Sequence, residues 1–303
     1  MIMNRPLRAQ PAVCLLAILA VVSSITSSSA GWAQESSSLE LSRPVRSWEF
    51  LSATGQRASL LGNEQGQFEA WVYPLKILRD FHLRFHVRDR EIPAEALART
   101  LTVHPESSSI LYASDTFTVR ETLFVPVHEA GAIILIDVDT SEPVEVEAMF
   151  HRDFQLEWPA ALGGTYMSWN ADEHAFVMGE EQKKYVAFVG SPTAEDEHAE
   201  YQTSYSAATE SSFRLGATKK GHETKVVVIA ASLEGSGKAA AEAGEEYRHL
   251  ATSYAALLQE SATYYRDYLA RTVNLALPDG DLQRAYDWSR VSIVQGLVAN
   301  PFL

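Results

Sequence analysis

One cysteine is all the sequence has, and Cys14 lies in an N-terminal apolar stretch that reads as part of an export signal. With that stretch removed no thiol remains, which excludes disulfides, a thiolate nucleophile and a cysteine metal site. A basic run is missing from the body of the chain, and the formal net charge is −14. Nucleic acid and anionic membrane surfaces are poor partners for such a field, and a neutral or cationic ligand suits it better. The nine histidines contain no helical zincin pattern, so no metal site and no cofactor is expected. His82 and His86 are four apart but fall in an expected strand, ~13 Å apart on one face, where solvated side chains are the simplest reading. No Gly-x-Ser-x-Gly elbow is present for serine catalysis. Gly235-Ser236-Gly237-Lys238 lacks the spacing of a phosphate loop and reads as a linker.

What is present begins with that leader. Arg5 and Arg8 precede an apolar stretch, Ala12 to Val22, and a small-residue region, Ser23 to Ala33. This is the pattern of a signal peptide over 1–33, cut after Ala33, and it implies an exported (periplasmic or extracellular) protein. The stretch is shorter than the ~20 residues a membrane span needs. Cleavage takes the charge from −14 to −16.

Residues 34–45 are rich in Ser and Glu and read as a flexible leader. Over 46–232 short β-branched and aromatic runs alternate with Gly, Pro, Asp and Ser clusters, giving about fifteen strands. Thr116–Val125 alternates, with Phe117, Val119, Leu123 and Val125 on one face, as a strand with one wet side should. Ile133–Ile136 and Val226–Ile229 are continuous apolar runs, suited to strands covered on both faces. So many strands exceed an immunoglobulin-like sandwich of about seven to nine, and two large stacked antiparallel sheets fit best.

Two helices follow. Residues 238–273 repeat apolar side chains every three to four positions, from Tyr247 through Leu250, Tyr254 and Leu257 to Leu269, a helix ~50 Å long. Its tyrosine stripe is a packing face, since tyrosine covers apolar surface while its hydroxyl stays wet. In 278–303, Asp279-Gly280-Asp281 is a helix start, and the residues after it are apolar on almost every side. Such a helix belongs inside something larger, so the segment is expected to open a helical domain that this chain does not contain.

No carboxylate pair announces itself as catalytic. Glu180-Glu181 with Lys183-Lys184 reads as a solvated turn. Phe154 through Pro159, leading into Gly163-Gly164, reads as a long shaped loop, a common place for recognition. Carbohydrate contact is expected from Trp71, Tyr73, Glu157, Trp158 and Trp169, because a pyranose offers an apolar face to an aromatic ring and hydroxyls to acids. The plainer alternative for Trp158 is a core or domain contact.

The order of parts, with Trp48-Glu49-Phe50-Leu51, Gly66 through Lys76, Phe117 through Pro126, and Pro278-Asp279-Gly280-Asp281-Leu282 with Trp288, resembles the six-hairpin glycosidases. Within them it is similar to the bacterial glycogen-debranching or amylo-α-1,6-glucosidase-like group, kin to bacterial glucoamylases. The resemblance spans roughly residues 46 to 303. It implies a mainly β chain: a large antiparallel β-supersandwich, a long linker helix and the first helix of a missing (α/α)6 barrel. It also implies inverting hydrolysis of α-glucans by two acids of that barrel, so no catalytic residue carries over and the chain alone is expected to be inactive. Other readings are a stand-alone carbohydrate-binding or scaffold sandwich, and part of a disaccharide phosphorylase.

Overall fold

The computed structural model describes residues 39–157, 162–199, 210–232 and 237–299. The expected export signal with Cys14, Trp158, the strand expected over 200–205 and the terminal Phe302-Leu303 lie outside the described residues.

In chain order the strands are β1 (Leu41–Pro44), β2 (Phe50–Thr54), β3 (Ala58–Asn63), β4 (Phe68–Val72), β5 (Leu75–Val87), β6 (Arg90–Pro93), β7 (Ala98–His104), β8 (Ser107–Ala113) and β9 (Phe117–Phe124). After them come β10 (Gly131–Thr140), β11 (Val144–Leu156), β12 (Thr165–Asn170), β13 (Ala175–Glu180), β14 (Val186–Gly190), β15 (Glu195–Ala199), β16 (Glu210–Thr218) and β17 (Gly221–Ser232). Two α-helices end the described chain, α1 (Ala239–Arg271) and α2 (Gly280–Gln295).

The strands form two antiparallel sheets that face each other, so the fold is mainly β with two C-terminal helices. The larger sheet has nine strands in the order β1-β7-β8-β9-β10-β17-β14-β13-β12. The smaller has eight, β15-β16-β11-β5-β4-β3-β2 with β6 paired to β5. Alternation dictates the layering. In β9, Phe117, Val119 and Leu123 join the interior while Thr118 and Arg120 are exposed. From the smaller sheet Leu60, Phe68, Phe81, Phe85, Phe150 and Phe213 meet them.

The outer side of the larger sheet is apolar as well. Ile133 and Leu135 of β10, Phe188 of β14, and Val226 and Val228 of β17 lie under Ala243, Tyr247 and Leu250 of α1. This explains the unbroken apolar runs of β10 and β17, which face the core with one set of side chains and α1 with the other. The approach is close at Gly131, where an added Cβ would collide with Leu250 Cδ1 and the Ile229 carbonyl.

Helix α2 starts where Asp279 accepts hydrogen bonds from the backbone N–H groups of Asp281 and Leu282, both at 2.9 Å, an N-cap that satisfies two orphan donors. Buried Arg290 ties it to the end of α1, donating to the Leu269 carbonyl and to Thr272 Oγ1. The favourable position of a cation at a helix C-terminus adds to that contact. Only one side of α2 is covered here. Arg290, Val291 and Val294 are buried, whereas Leu282 is 57% and Ile293 65% exposed.

Three further expectations change. The leader gives way at Leu41 to β1, which pairs with β7. Of the loop expected from Phe154 to Gly164, Phe154–Leu156 is instead the end of β11, held by pairing of Gln155 with Lys76 and Leu156 with Leu75, and residues 158–161 lie outside the described residues. Glu180, expected in a solvated turn, is buried, and its carboxylate accepts the N–H groups of Gln182 and Lys184.

Between the sheets lies one carboxyl group that the apolar pattern hides. Glu121 takes an inward position of β9 between Val119 and Leu123 and is fully buried. Tyr112 Oη donates to its Oε2 at 2.6 Å, while Oε1 has no partner. Burial pushes its pKa up to about 7, against the pull of the tyrosine. Gly66, at φ +82°, closes over the pair, and a Cβ there would strike Tyr112 Oη.

Candidate functional site

The outer side of the smaller sheet carries the site. Among the described residues no α-helix lies on it, and its strands point polar side chains outward. Glu145, Glu147, His151, Asp153 and Gln155 come from β11; Lys76, His82, Arg84 and His86 from β5; Glu210, Ser212 and Arg214 from β16; and Glu69 and Trp71 from β4.

At one end the groups converge on Trp71. Its Nε1 donates to Glu69 Oε1 at 2.8 Å. Lys76 Nζ lies 2.6 Å from Glu69 Oε2 and 2.9 Å from Asp153 Oδ2, and Gln155 Nε2 donates to Asp153 Oδ1 at 3.0 Å. The ammonium is 5.5 Å from the indole centroid, in cation–π range. Burial opposes the charge on Lys76, but hydrogen bonds to Glu69 and Asp153 outweigh it and hold its pKa above the ordinary lysine value. The neighbouring turn contains Tyr73 and a cis Tyr73–Pro74 bond. Glu157 joins the same corner, its N–H donating to the Pro74 carbonyl at 2.8 Å.

Further along the face a groove of about 550 Å³ runs across β5, β11 and β16 to the edge strand β15, lined by Arg84, Glu147, Glu210, Ser212, Arg214 and His198 among others. That volume is in the range of small-molecule sites. Glu147 is its fixed acceptor: Ser212 Oγ donates to Oε1 at 2.6 Å and His86 Nε2 sits 2.7 Å from Oε2. Burial works to raise the pKa of Glu147, yet these two bonds leave it below the ordinary carboxylate value. His82 Nε2 lies 3.6 Å from Glu210 Oε1. His82 and His86 are thus half-buried and paired with carboxylates, not simply solvated. A second cavity, about 230 Å³, lies between β2, β7 and α2, smaller than the ~300 Å³ at which ligand pockets usually begin.

Of the residues expected to touch sugar, Trp71 stands in this cluster, and the backbone of Tyr73 and Glu157 passes beside it through the turn at Pro74. Trp169 does not join them. Its ring is partly buried and packs edge-on against Phe176 at 5.0 Å and near Phe213, against the sandwich core. Sequence reasoning missed Glu69, Lys76, Asp153 and Gln155. The period-two spacing of Glu69 and Trp71 was a signal, but Asp153 reaches Lys76 only through the β5–β11 pairing.

With this geometry in hand, known structures supply a frame. A chain from the human microbiome named as a kojibiose phosphorylase superposes with a TM-score of 0.58 at 6% identity, covering 80% of this chain and 39% of that one. A bacterial glucoamylase complexed with acarbose gives 0.56 at 9% identity, covering 84% and 41%. The chain shares its fold with part of two carbohydrate-active enzymes. It spans about two fifths of the length of each. No protein-family profile matches the sequence, and neither does any curated protein.

Proposed function

We propose that this chain is the non-catalytic β domain of an exported glycoside hydrolase acting on α-glucans, of glycogen-debranching or glucoamylase type. The observation that carries the reading is the order of parts: a two-sheet sandwich, a long helix laid across its larger sheet, then α2, a layout superposable on a glucoamylase over 84% of the chain. The outward side of α2 and the segments beside it support a helical barrel as the packing partner. Val273, Leu275, Leu282, Ile293, Leu297 and Val298 are all exposed there, and an apolar strip of that kind marks an interaction surface.

Inverting hydrolysis needs one carboxylic acid kept protonated and one carboxylate kept charged, with room for water between them, ~6.5–9.5 Å apart. Among the described residues Glu121 and Glu246 have raised pKa values. Glu121 is sealed between the sheets, and Glu246, on α1, accepts the Ala130 N–H at 3.0 Å. Glu147, in the open groove, is shifted the other way. Among the described residues neither raised carboxyl group therefore faces Glu147 across the groove.

The test has two arms. The purified chain should release no glucose from maltodextrin above a buffer blank. The complete product of its gene should release β-glucose, with the anomer followed by NMR. Glucose release by the purified chain, or none by the complete product, contradicts the proposal. The likeness to the kojibiose phosphorylase favours one second reading, attack by phosphate. Sugar 1-phosphate appearing only when inorganic phosphate is added would establish it in place of hydrolysis.

A further inference from the structure

The open side of an antiparallel sheet is ordinarily a mixture of charged and small polar groups, and a tryptophan there leaves apolar surface in water. Trp71 is partly exposed in this position, on the outward side of β4. Around it runs a chain of hydrogen bonds and ion pairs, Trp71 to Glu69, Glu69 to Lys76, Lys76 to Asp153, Asp153 to Gln155. The polar groups are held tightly: the side chains of Lys76 and Asp153 are only 14% and 19% exposed. Each still has hydrogen-bonding capacity unspent, a third ammonium hydrogen on Lys76, lone pairs on both carboxylates, and the amide oxygen of Gln155.

We propose that Trp71, with Glu69, Lys76, Asp153 and Gln155, is a binding platform for a neutral oligosaccharide, one sugar ring lying on the indole and its hydroxyls reaching the polar fringe. The ligand class follows from the charges. Two carboxylates surround one ammonium, so the local charge is negative and repels anions, in keeping with the acidic chain as a whole. A cationic ligand is met at the ring by Lys76. A purely apolar ligand would strip water from four charged or amide groups without replacing their bonds. A pyranose has both an apolar face and many hydroxyls, and the fixed geometry of the fringe lowers the ordering cost of binding it. The polar fringe runs over three strands, from Glu69 on β4 through Lys76 on β5 to Asp153 and Gln155 on β11, which favours a chain over a single sugar.

Only the choice of an α-glucan as ligand rests on the function proposed above, and the experiment separates the two. The full chain is titrated calorimetrically with maltoheptaose, cellohexaose and xylohexaose, alongside Trp71→Ala, Trp71→Phe and Asp153→Asn, each checked by circular dichroism. We expect maltoheptaose to bind, Trp71→Ala to weaken it at least about tenfold, and Trp71→Phe to restore most of that loss. Asp153→Asn, which keeps the shape, should weaken it about threefold. Binding of cellohexaose or xylohexaose alone, lost in Trp71→Ala, would keep the platform and remove the α-glucan reading. No binding of any of the three, or affinities that the Trp71 and Asp153 substitutions leave unchanged, would overturn the platform and leave the hydrolase reading to its own assay.

Discussion

The two sheets turn opposite surfaces outward. Beneath α1 the larger sheet presents Phe124, Ile133, Leu135, Phe188, Val226 and Val228, all buried against the helix. The smaller sheet turns Glu145, Glu147, His82, Arg84 and His86 outward, joined across strands by ion pairs such as Arg214–Glu145 at 3.0 Å. Both sheets obey the same inward alternation, so the shared core does not distinguish them. What differs is the second set of side chains, those at the other parity of each strand. Apolar residues at that parity recruit a helix, and charged residues leave a face free for a ligand.

Substitutions on either side can break this contrast. The largest effect is expected under α1. Phe188→Ala removes a ring 5.8 Å from Tyr247 and should cost about 3–5 kcal/mol in urea unfolding. A loss below about 1 kcal/mol would mean that α1 contributes little to the fold.

Next comes the interior that both sheets share. Glu121 has a folded pKa raised to about 7, above the unfolded value of about 4.3. Its contribution is most favourable below pH 4, where both states are protonated, and declines as pH rises through 7. Above that the folded state holds a buried, half-satisfied carboxylate. Between pH 4 and 8 this should remove about 3 kcal/mol of stability, and Glu121→Gln should abolish that slope. A slope identical in the variant contradicts the assignment.

The open face should give the smallest change. Glu147 has the opposite shift, held down by Ser212 and His86. Its contribution is present above the unfolded pKa and is lost as pH falls through the lower folded value. Glu147→Gln should therefore cost about 1 kcal/mol at pH 7 and nearly nothing at pH 2. An equal cost at both pH values would point to packing instead of charge.

Much of this contrast was legible in the sequence. The doubly apolar runs of β10 and β17, the spacing along α1 and the Asp279 cap each follow from local rules. The short strands β1, β6 and β15 were not legible. Glu195–Ala199 is exposed at every position, so no burial pattern marks it and only its pairing with β16 makes it a strand. The later part of β11 escaped for another reason. Arg152 takes a buried position between Phe150 and Phe154, so a charge interrupts the apolar alternation that announces a strand. Glu121 sat at an inward position that a charge disguises. At the site, Trp71 could be read from its chemistry. Its four polar partners come from three strands, and strand order is a property of the whole chain.

The division of labour between the two outer faces is tested most directly by urea unfolding of Leu250→Ala beside Trp71→Ala in the same buffer. Leu250 is fully buried between α1 and the larger sheet, so its truncation should cost about 3 kcal/mol. Trp71 stands on the open face, and its truncation should cost about 1 kcal/mol. Equal losses in the two variants would contradict the account, because the face left open for a ligand would then be as structural as the one beneath the helix.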